Sequence, residues 1–308
     1  METPYHKPVL LNECIEGLQI KPTGIYVDAT FGGGGHSREI MSKLTSGRVF
    51  AFDQDSDATV NAQSIKEDPI LKEKFVFVKH NFKYIKLFLR YYNVKNVHGI
   101  LADLGVSWHQ FDEPERGFSF RTDANLDMRM NQDSGLTAAT ILNTYADKQL
   151  LHIFSNYGEV QNTRQLVAEI IKCRAVAPIN RIDELKTAIA RCVPRNNENQ
   201  YLAKVFQALR IEANGELEAL KRFLLSTVNT IKPGGRLVII TYHSLEDRLV
   251  KNFIKAGNFE GDEIKDLYGN SQSPFKAINN RVITPTEEEL ERNSRARSAK
   301  LRIAERVK

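Results

Sequence analysis

Four consecutive glycines, Gly32 to Gly35, stand between an apolar stretch at residues 25–29 and a helical pattern that begins at His36 or Ser37. Strand, glycine loop and helix in that order commit a chain to an α/β architecture. On the sequence alone the loop is read as a ligand turn rather than as packing, because glycine strips every Cβ from the bend and leaves bare backbone. The helix behind it offers unpaired N–H groups and the positive end of its dipole. A dinucleotide fingerprint needs Gly-x-Gly-x-x-Gly. Counted from Gly32 the third glycine slot holds Ser37, and from Gly33 it holds Arg38. Asp28, at the end of the strand, would repel a pyrophosphate. It suits a ligand with an amino group, such as the methionine part of S-adenosylmethionine.

The pattern repeats. Residues 47–53, 75–79 and 97–103 read as further strands, with 75–79 a near-continuous apolar run of parallel-sheet type. Asp53 follows the glycine loop at about the spacing of a ribose-binding carboxylate, which accepts two hydrogen bonds from a vicinal diol. Asp55 and Asp57 read as solvated or as caps of the next helix. Phe82, past the third strand, packs on an adenine or in the core. Asp103 tips the fourth strand and reads as site chemistry, since ionised carboxylates are seldom buried unpaired.

The alternation then stops. Residues 108–129 are loop-like and rich in charge and aromatics, and residues 136–145, 147–156, 163–175 and 181–192 are helical. Gly158 is expected to close the second of these. Longer helices follow at 200–213 and 217–231, then a turn at 232–235 and a fifth strand at 236–241. Tyr242-His243 opens another helix, expected to be capped by Ser244. Residues 259–272 are polar and expected to be mobile, and residues 277–283 and 300–306 to form an antiparallel edge. The expected organisation is a Rossmann-like domain at 1–108 and 213–308, with an inserted helical domain at 109–212 for substrate recognition.

Composition narrows the class. The chain has 308 residues, a net charge of +5, 42% hydrophobic and 26% charged residues, as in soluble globular proteins. No apolar run approaches the ~20 residues of a membrane span, so no membrane partner is expected. The first six residues show neither a basic nor an apolar signal region. Three scattered cysteines, Cys14, Cys173 and Cys192, lack metal spacing, so no metal is expected, and their odd count fits a reducing cytoplasm.

Six stretches carry a resemblance: Asp28-Ala-Thr-Phe-Gly-Gly-Gly-Gly-His-Ser37, Asp103-Leu-Gly-Val-Ser107, Glu115-Arg-Gly-Phe-Ser-Phe120, Leu126-Asp-Met-Arg-Met130, His243-Ser-Leu-Glu-Asp-Arg248 and Arg295-Ala-Arg-Ser298. In that order, over nearly the whole chain, they resemble the bacterial small-subunit ribosomal RNA cytosine-N4 methyltransferases. The family pattern ends its fourth-strand motif in a serine pair, where this chain has Ser107-Trp108. The resemblance implies a class I S-adenosylmethionine-dependent fold and methylation of one cytidine in the decoding region of 16S ribosomal RNA. It implies cofactor contacts at Gly34, Gly35 and His36 through backbone, at Asp53 to ribose, at Phe82 and Asp103 on the adenine side, and at Gln110. The small ribosomal subunit is the implied partner, and a homodimer stays open.

Exocyclic cytosine amines are weak nucleophiles. A carboxylate or imidazole that accepts their N–H hydrogen bonds, or takes a proton as the new bond forms, assists the transfer. Asp103 and His243 are the candidate catalytic residues; Asp103 is equally a cofactor ligand. Methylation at C5 would need a cysteine nucleophile, and none is expected at a strand tip. Arg116, Phe118, Phe120, Arg121, Arg129 and the Arg295, Arg297, Lys300 cluster are read as phosphate contacts and stacking surfaces, or as a solvated face.

Overall fold

The computed structural model describes residues 8–133, 135–279 and 281–307; His6 and Lys7, read with the N-terminal segment, lie outside them, as does the Trp108 side chain. In chain order the elements are α1 (Leu11–Leu18), β1 (Ile25–Asp28), α2 (Gly35–Ser42), β2 (Arg48–Asp53), α3 (Ala58–Lys66), β3 (Phe75–Lys79), α4 (Ile85–Tyr91) and β4 (Val97–Asp103). Then come α5 (Trp108–Asp112), α6 (Ala138–Thr144), α7 (Asp147–Asn156), α8 (Thr163–Arg174), α9 (Ile182–Ile189), α10 (Glu198–Asn214) and α11 (Glu216–Val228). The chain closes with β5 (Ile231–Thr241), α12 (Ser244–Ala256), β6 (Phe275–Ala277), α13 (Glu287–Arg292) and β7 (Lys300–Arg306). Two compact units result. One is the chain up to Gly105 together with Leu217 onward; the other is Val106–Glu216.

The first unit is a seven-stranded sheet in the order β3-β2-β1-β4-β5-β7-β6. β1 to β5 pair in parallel, and β7 runs antiparallel between β5 and β6. Apolar runs in the central strands are explained by burial on both faces. Val27, Phe50, Phe52, Ile100 and Ile239 join one core with α4, α11 and α12. Their neighbours Tyr26, Val49, Ala51, Leu101 and Val238 point the other way, into a core with α1, α2 and α3. The strand period of two thus divides one apolar sequence between two layers. Strand order reverses between β1 and β4, and open α/β sheets bind ligands at such a switch point, beyond the carboxyl ends of the strands.

Residues 232–235, expected as a turn before the strand, are part of it. Val97 pairs with Ile231 and Gly99 with Arg236, so the proline and glycines bulge out of a strand already begun. Residues 259–272 form a hydrogen-bonded turn in which Asp266 accepts from the backbone of Tyr268 and Asn270.

The helical unit has its own core, built by Phe118, Leu126, Ile141, Phe154, Leu166, Leu185 and Leu209 with their neighbours. Ser107 and Gln110 cap α5 reciprocally, and Thr137 caps α6. Gly158 does not end α7 in a left-handed turn: the cap is Tyr157, and the positive φ falls on Glu159. The loop before α6 is pinned from within. Arg116 is buried and donates to the carbonyls of Arg129 and Met130. Arg129 pairs with Asp127 at 2.7 Å, and Asn214 donates to Met128 O and accepts from Met130 N. Phe118 is buried and Phe120 packs edge-on to Phe206. Of these residues, read from the sequence as an RNA surface, Arg116 and Phe118 are buried and Phe120 and Arg129 half-buried, so they brace the loop from within. Arg121 stays exposed.

Candidate active site

Three carboxylates tip three adjacent strands. Asp28 ends β1, fully buried, where its Oδ2 accepts from Ser37 Oγ at 2.7 Å and its Oδ1 from Thr30 N at 3.2 Å. Asp53 ends β2, with Oδ2 accepting from Gly32 N at 2.8 Å and Oδ1 from Asp55 N at 2.9 Å. Asp103 ends β4. Its Oδ1 accepts from Tyr242 Oη at 2.8 Å, and its backbone N–H donates to Thr30 Oγ1 at 2.7 Å. Burial raises Asp28 and Asp53 to about 6 and Asp103 to about 7; the nearby charge of Asp28 adds to the rise in both others. Anions confined this closely in a low-dielectric site favour a cation among them. Asp55, expected to be solvated or capping, is buried, and its Oδ1 accepts from Asp57 N.

The glycine loop divides into two halves with different reasons for glycine. At Gly34 (φ +79) a Cβ would stand 2.7 Å from the Phe31 ring, and at Gly35 it would strike Pro8. At those two positions the packing of Phe31 and Pro8 by itself requires glycine, a reason the sequence reading had set aside. Gly32 (φ +50) is the open one: a Cβ there would meet nothing within 4 Å. Gly34 is the N-cap of α2, so the first N–H groups of that helix lie behind the loop. His36 is buried, its Nε2 donates to Val9 O at 3.2 Å, and burial lowers it to about 4. It is therefore neutral near pH 7, and its ring ties down the N-terminal segment.

Phe82 begins a 3₁₀ turn, Phe82–Tyr84, past β3 and packs edge-on to Phe223 at 5.1 Å. Asn81 holds that turn through Lys83 N and reaches Gln54, beside Asp53. Gln110 belongs to the helical unit, where its Oε1 accepts from Ser107 N at 3.0 Å.

His243, not Ser244, caps α12; its Nδ1 accepts from Glu246 N at 3.4 Å. Its Nε2 lies 3.2 Å from Glu246 Oε1. Glu246 is buried and its Oε2 accepts from Tyr242 N at 2.9 Å, so it is more than an acid favouring a helix dipole. Asp247 instead binds Arg302 through both oxygens. Cys14 is buried on α1, close enough to Asp103 and Asp28 that their charges, after burial, push its thiol well up. A cysteine does stand near the strand tips, then, but as an inert thiol and not a nucleophile.

Sequence reasoning missed Tyr242, Thr30 and Ser37, the groups that hold the Asp103 and Asp28 ends in place. Tyr242 was within reach: it follows the last residue of β5, the neighbour of β4, on the same carboxyl edge. Gly105 (φ +105) lies against the Tyr242 ring, where a Cβ would stand at 3.2 Å.

This site fits S-adenosylmethionine. The Gly32 opening leaves room for a ligand against backbone, the strand-tip carboxylates suit its ammonium and sulfonium charges, and the Asp53 carboxylate stands beside the loop, where Gly32 N–H reaches it. Sheet order, reversed final strand and acidic strand tips define the class, a class I S-adenosylmethionine-dependent methyltransferase. Within that class the chain belongs to the MraW methylase family, whose profile matches residues 3–307. It is similar to the ribosomal RNA small subunit methyltransferase H of Phocaeicola vulgatus, 55% identical over 303 residues that cover 98% of this chain and 97% of that one. The protein of the same name from Bacteroides thetaiotaomicron is 56% identical over 306 residues, 99% and 98% of the two chains. That from Flavobacterium johnsoniae is 52% identical over 304 residues, 98% of each. Among the described residues no helix is long and apolar enough to cross a membrane.

Proposed function

We propose that the chain methylates N4 of a cytidine in the decoding region of 16S ribosomal RNA. The observation that carries this reading is the Asp103 carboxyl at the tip of β4, held by Tyr242 and titrating near neutrality. Its relatives bear the name of small-subunit ribosomal RNA methyltransferases, which supports the RNA part of this reading. Bound S-adenosylmethionine supplies an electrophilic methyl group on a sulfonium. Gly34, Gly35 and His36 would hold its methionine end through backbone, Asp53 its ribose, and Phe82 and Asp103 its adenine side, with Gln110 as a further contact.

For the nucleobase, an acceptor must draw on the amine N–H groups while alignment lowers the barrier. Asp103, when ionised, is one such acceptor as an alternative to its adenine-side contact, since one carboxylate does not serve both. His243 is the other candidate; both its ring nitrogens face Glu246, so to take the proton the amine loses its Nδ1 must first give up the Glu246 N–H. The helical unit recognises the RNA, and the target base is unstacked to reach the methyl group.

Incubation with radiolabelled S-adenosylmethionine and small ribosomal subunits, followed by nucleoside analysis, tests this. Label in N4-methylcytidine is expected. Label in protein alone, or at cytosine C5, would refute it.

A further inference from the structure

We propose that the outer face of α4, with the turn that leads into it, binds the phosphates and one unstacked base of the RNA strand flanking the target site. This inference rests on the RNA reading above and goes past it in assigning a surface outside the helical unit. Residues 74–102 contain no aspartate or glutamate but six cations, Lys74, Lys79, Lys83, Lys86, Arg90 and Lys95. Soluble surfaces ordinarily intersperse both signs, so an acid-free stretch of this length presents a field of one sign, which attracts a polyanion.

Two ridges share the solvent side of α4. Ile85, Phe88 and Leu89 turn inward to the core beneath it. Lys86 and Arg90 lie opposite, both exposed, one turn or about 6 Å apart along the axis. Neither makes an ion pair among the described residues. Beside them run Leu87 and Tyr91, 63% and 76% exposed. The Tyr91 ring stands at 87° to that of Tyr92, with centroids 5.1 Å apart, and Tyr92 packs in turn on Phe50 of β2 at 5.5 Å. Tyr91 is thus braced from the core while most of it faces solvent. An aromatic held open beside unpaired cations suits single-stranded nucleic acid, whose bases stack on rings while its phosphates meet the charges. A second copy of this chain fits worse, because a self-complementary contact would set two such basic faces against each other.

The face starts at the edge where the cofactor carboxylates stand. β3 is the outer strand beside β2, and Lys79 at its tip is in register with Asp53. Asn81 Nδ2 donates to Gln54 Oε1 at 2.8 Å, tying the turn to the residue after Asp53. Lys83 follows two positions on, its Nζ 5.1 Å from the centre of the Tyr84 ring. From there α4 runs back alongside the sheet toward the start of β4. RNA held at the carboxyl edge can therefore continue past Lys83 to Lys86 and Arg90.

Each phosphate contact on single-stranded nucleic acid contributes about 0.7 to the slope of log affinity against log salt. The Lys86→Gln, Arg90→Gln variant therefore flattens the slope by about 1.4 and, at about 0.15 M salt, lowers affinity about tenfold. Tyr91→Ala lowers affinity about fivefold or more with the slope unchanged, and Tyr91→Phe, which keeps the ring, stays within about twofold of wild type. Fluorescence anisotropy with a labelled single-stranded RNA across a salt series reads both quantities. Lys251→Gln, Lys276→Gln, which removes the same charge from exposed positions on α12 and β6, is the control and should keep the wild-type slope. S-adenosylmethionine affinity and melting temperature should hold in every variant. Slopes and affinities in the α4 variants equal to those of the control would overturn the assignment. So would a shift in sedimentation, or a loss of binding to phosphatidylserine vesicles, with RNA affinity intact. Wild-type protein that binds no RNA would overturn the underlying RNA reading instead.

Discussion

Removing the Tyr242 hydroxyl while keeping its ring isolates one hydrogen bond at the centre of the site. Tyr242 Oη donates to Asp103 Oδ1 at 2.8 Å, and burial outweighs that bond to place the carboxyl at about 7. Because the bond favours the ionised form, losing it raises the value further. A hydrogen bond to a charged group contributes about 1.5–3 kcal/mol, and about 1.36 kcal/mol is one unit, so in Tyr242→Phe the carboxyl titrates about one to two units higher. Wild-type Asp103 is about one-tenth ionised at pH 6 and nine-tenths at pH 8. Affinity for the cationic cofactor therefore climbs about tenfold across that interval and levels off. In the variant the climb moves one to two units upward, and at pH 7 affinity is roughly five- to fiftyfold lower. Calorimetric titration with S-adenosylmethionine over this range measures the midpoint, and repeating it in buffers of different ionisation enthalpy counts the protons released. The phenylalanine ring still packs on Gly105, so the fold should hold, with a melting temperature lower by about a few degrees for the lost bond. Identical midpoints in the two proteins would refute the assignment of the titration to Asp103 and the role given to Tyr242.

Two further substitutions separate packing from function. Gly32→Ala puts a side chain into the open part of the loop at a left-handed backbone position. It should cost about 1–2 kcal/mol of stability and more than a tenfold loss of cofactor affinity; unchanged affinity by calorimetry would show that the ligand does not lie there. His243→Ala removes both a helix cap and an imidazole, with a cap loss of about 0.5–2 kcal/mol, whereas His243→Asn restores the cap alone. Both should lower turnover with cofactor affinity kept within about twofold; recovery of turnover in the asparagine variant would reduce His243 to a capping residue.

Much of the sheet was legible because its strands are short apolar runs ending in a polar residue. β3 and β4 have the bounds expected of them, and Asp53 sits beside the loop from which its spacing was counted. Legibility failed where one residue type serves two ends. Gly34 and Gly35 look like Gly32 in sequence, yet Phe31 and Pro8 press on the first two and leave the third open. Arg116 and Phe118 look like Arg121 on paper, yet burial makes them scaffold. A sequence shows charge and aromaticity but not the carbonyl at the other end of a guanidinium. Tyr242 was passed over because its partner lies 139 residues away, a distance only strand order closes.

The split construction of the sheet has a consequence for biosynthesis. β4 ends at Asp103 and its neighbour β5 begins at Ile231, 128 positions on. At about 5–20 residues per second, the ribosome takes roughly 6 to 25 seconds to deliver that neighbour. For this interval the nascent chain carries half a sheet whose innermost strand is an apolar, unpaired edge, the kind of surface that recruits wrong partners. The intervening segment can meanwhile bury its own core, so the emerging polypeptide has one finished half and one waiting half. A ribosome-stalled chain ending just after Asn214 should therefore resist protease across the helices while remaining open to cleavage around β4.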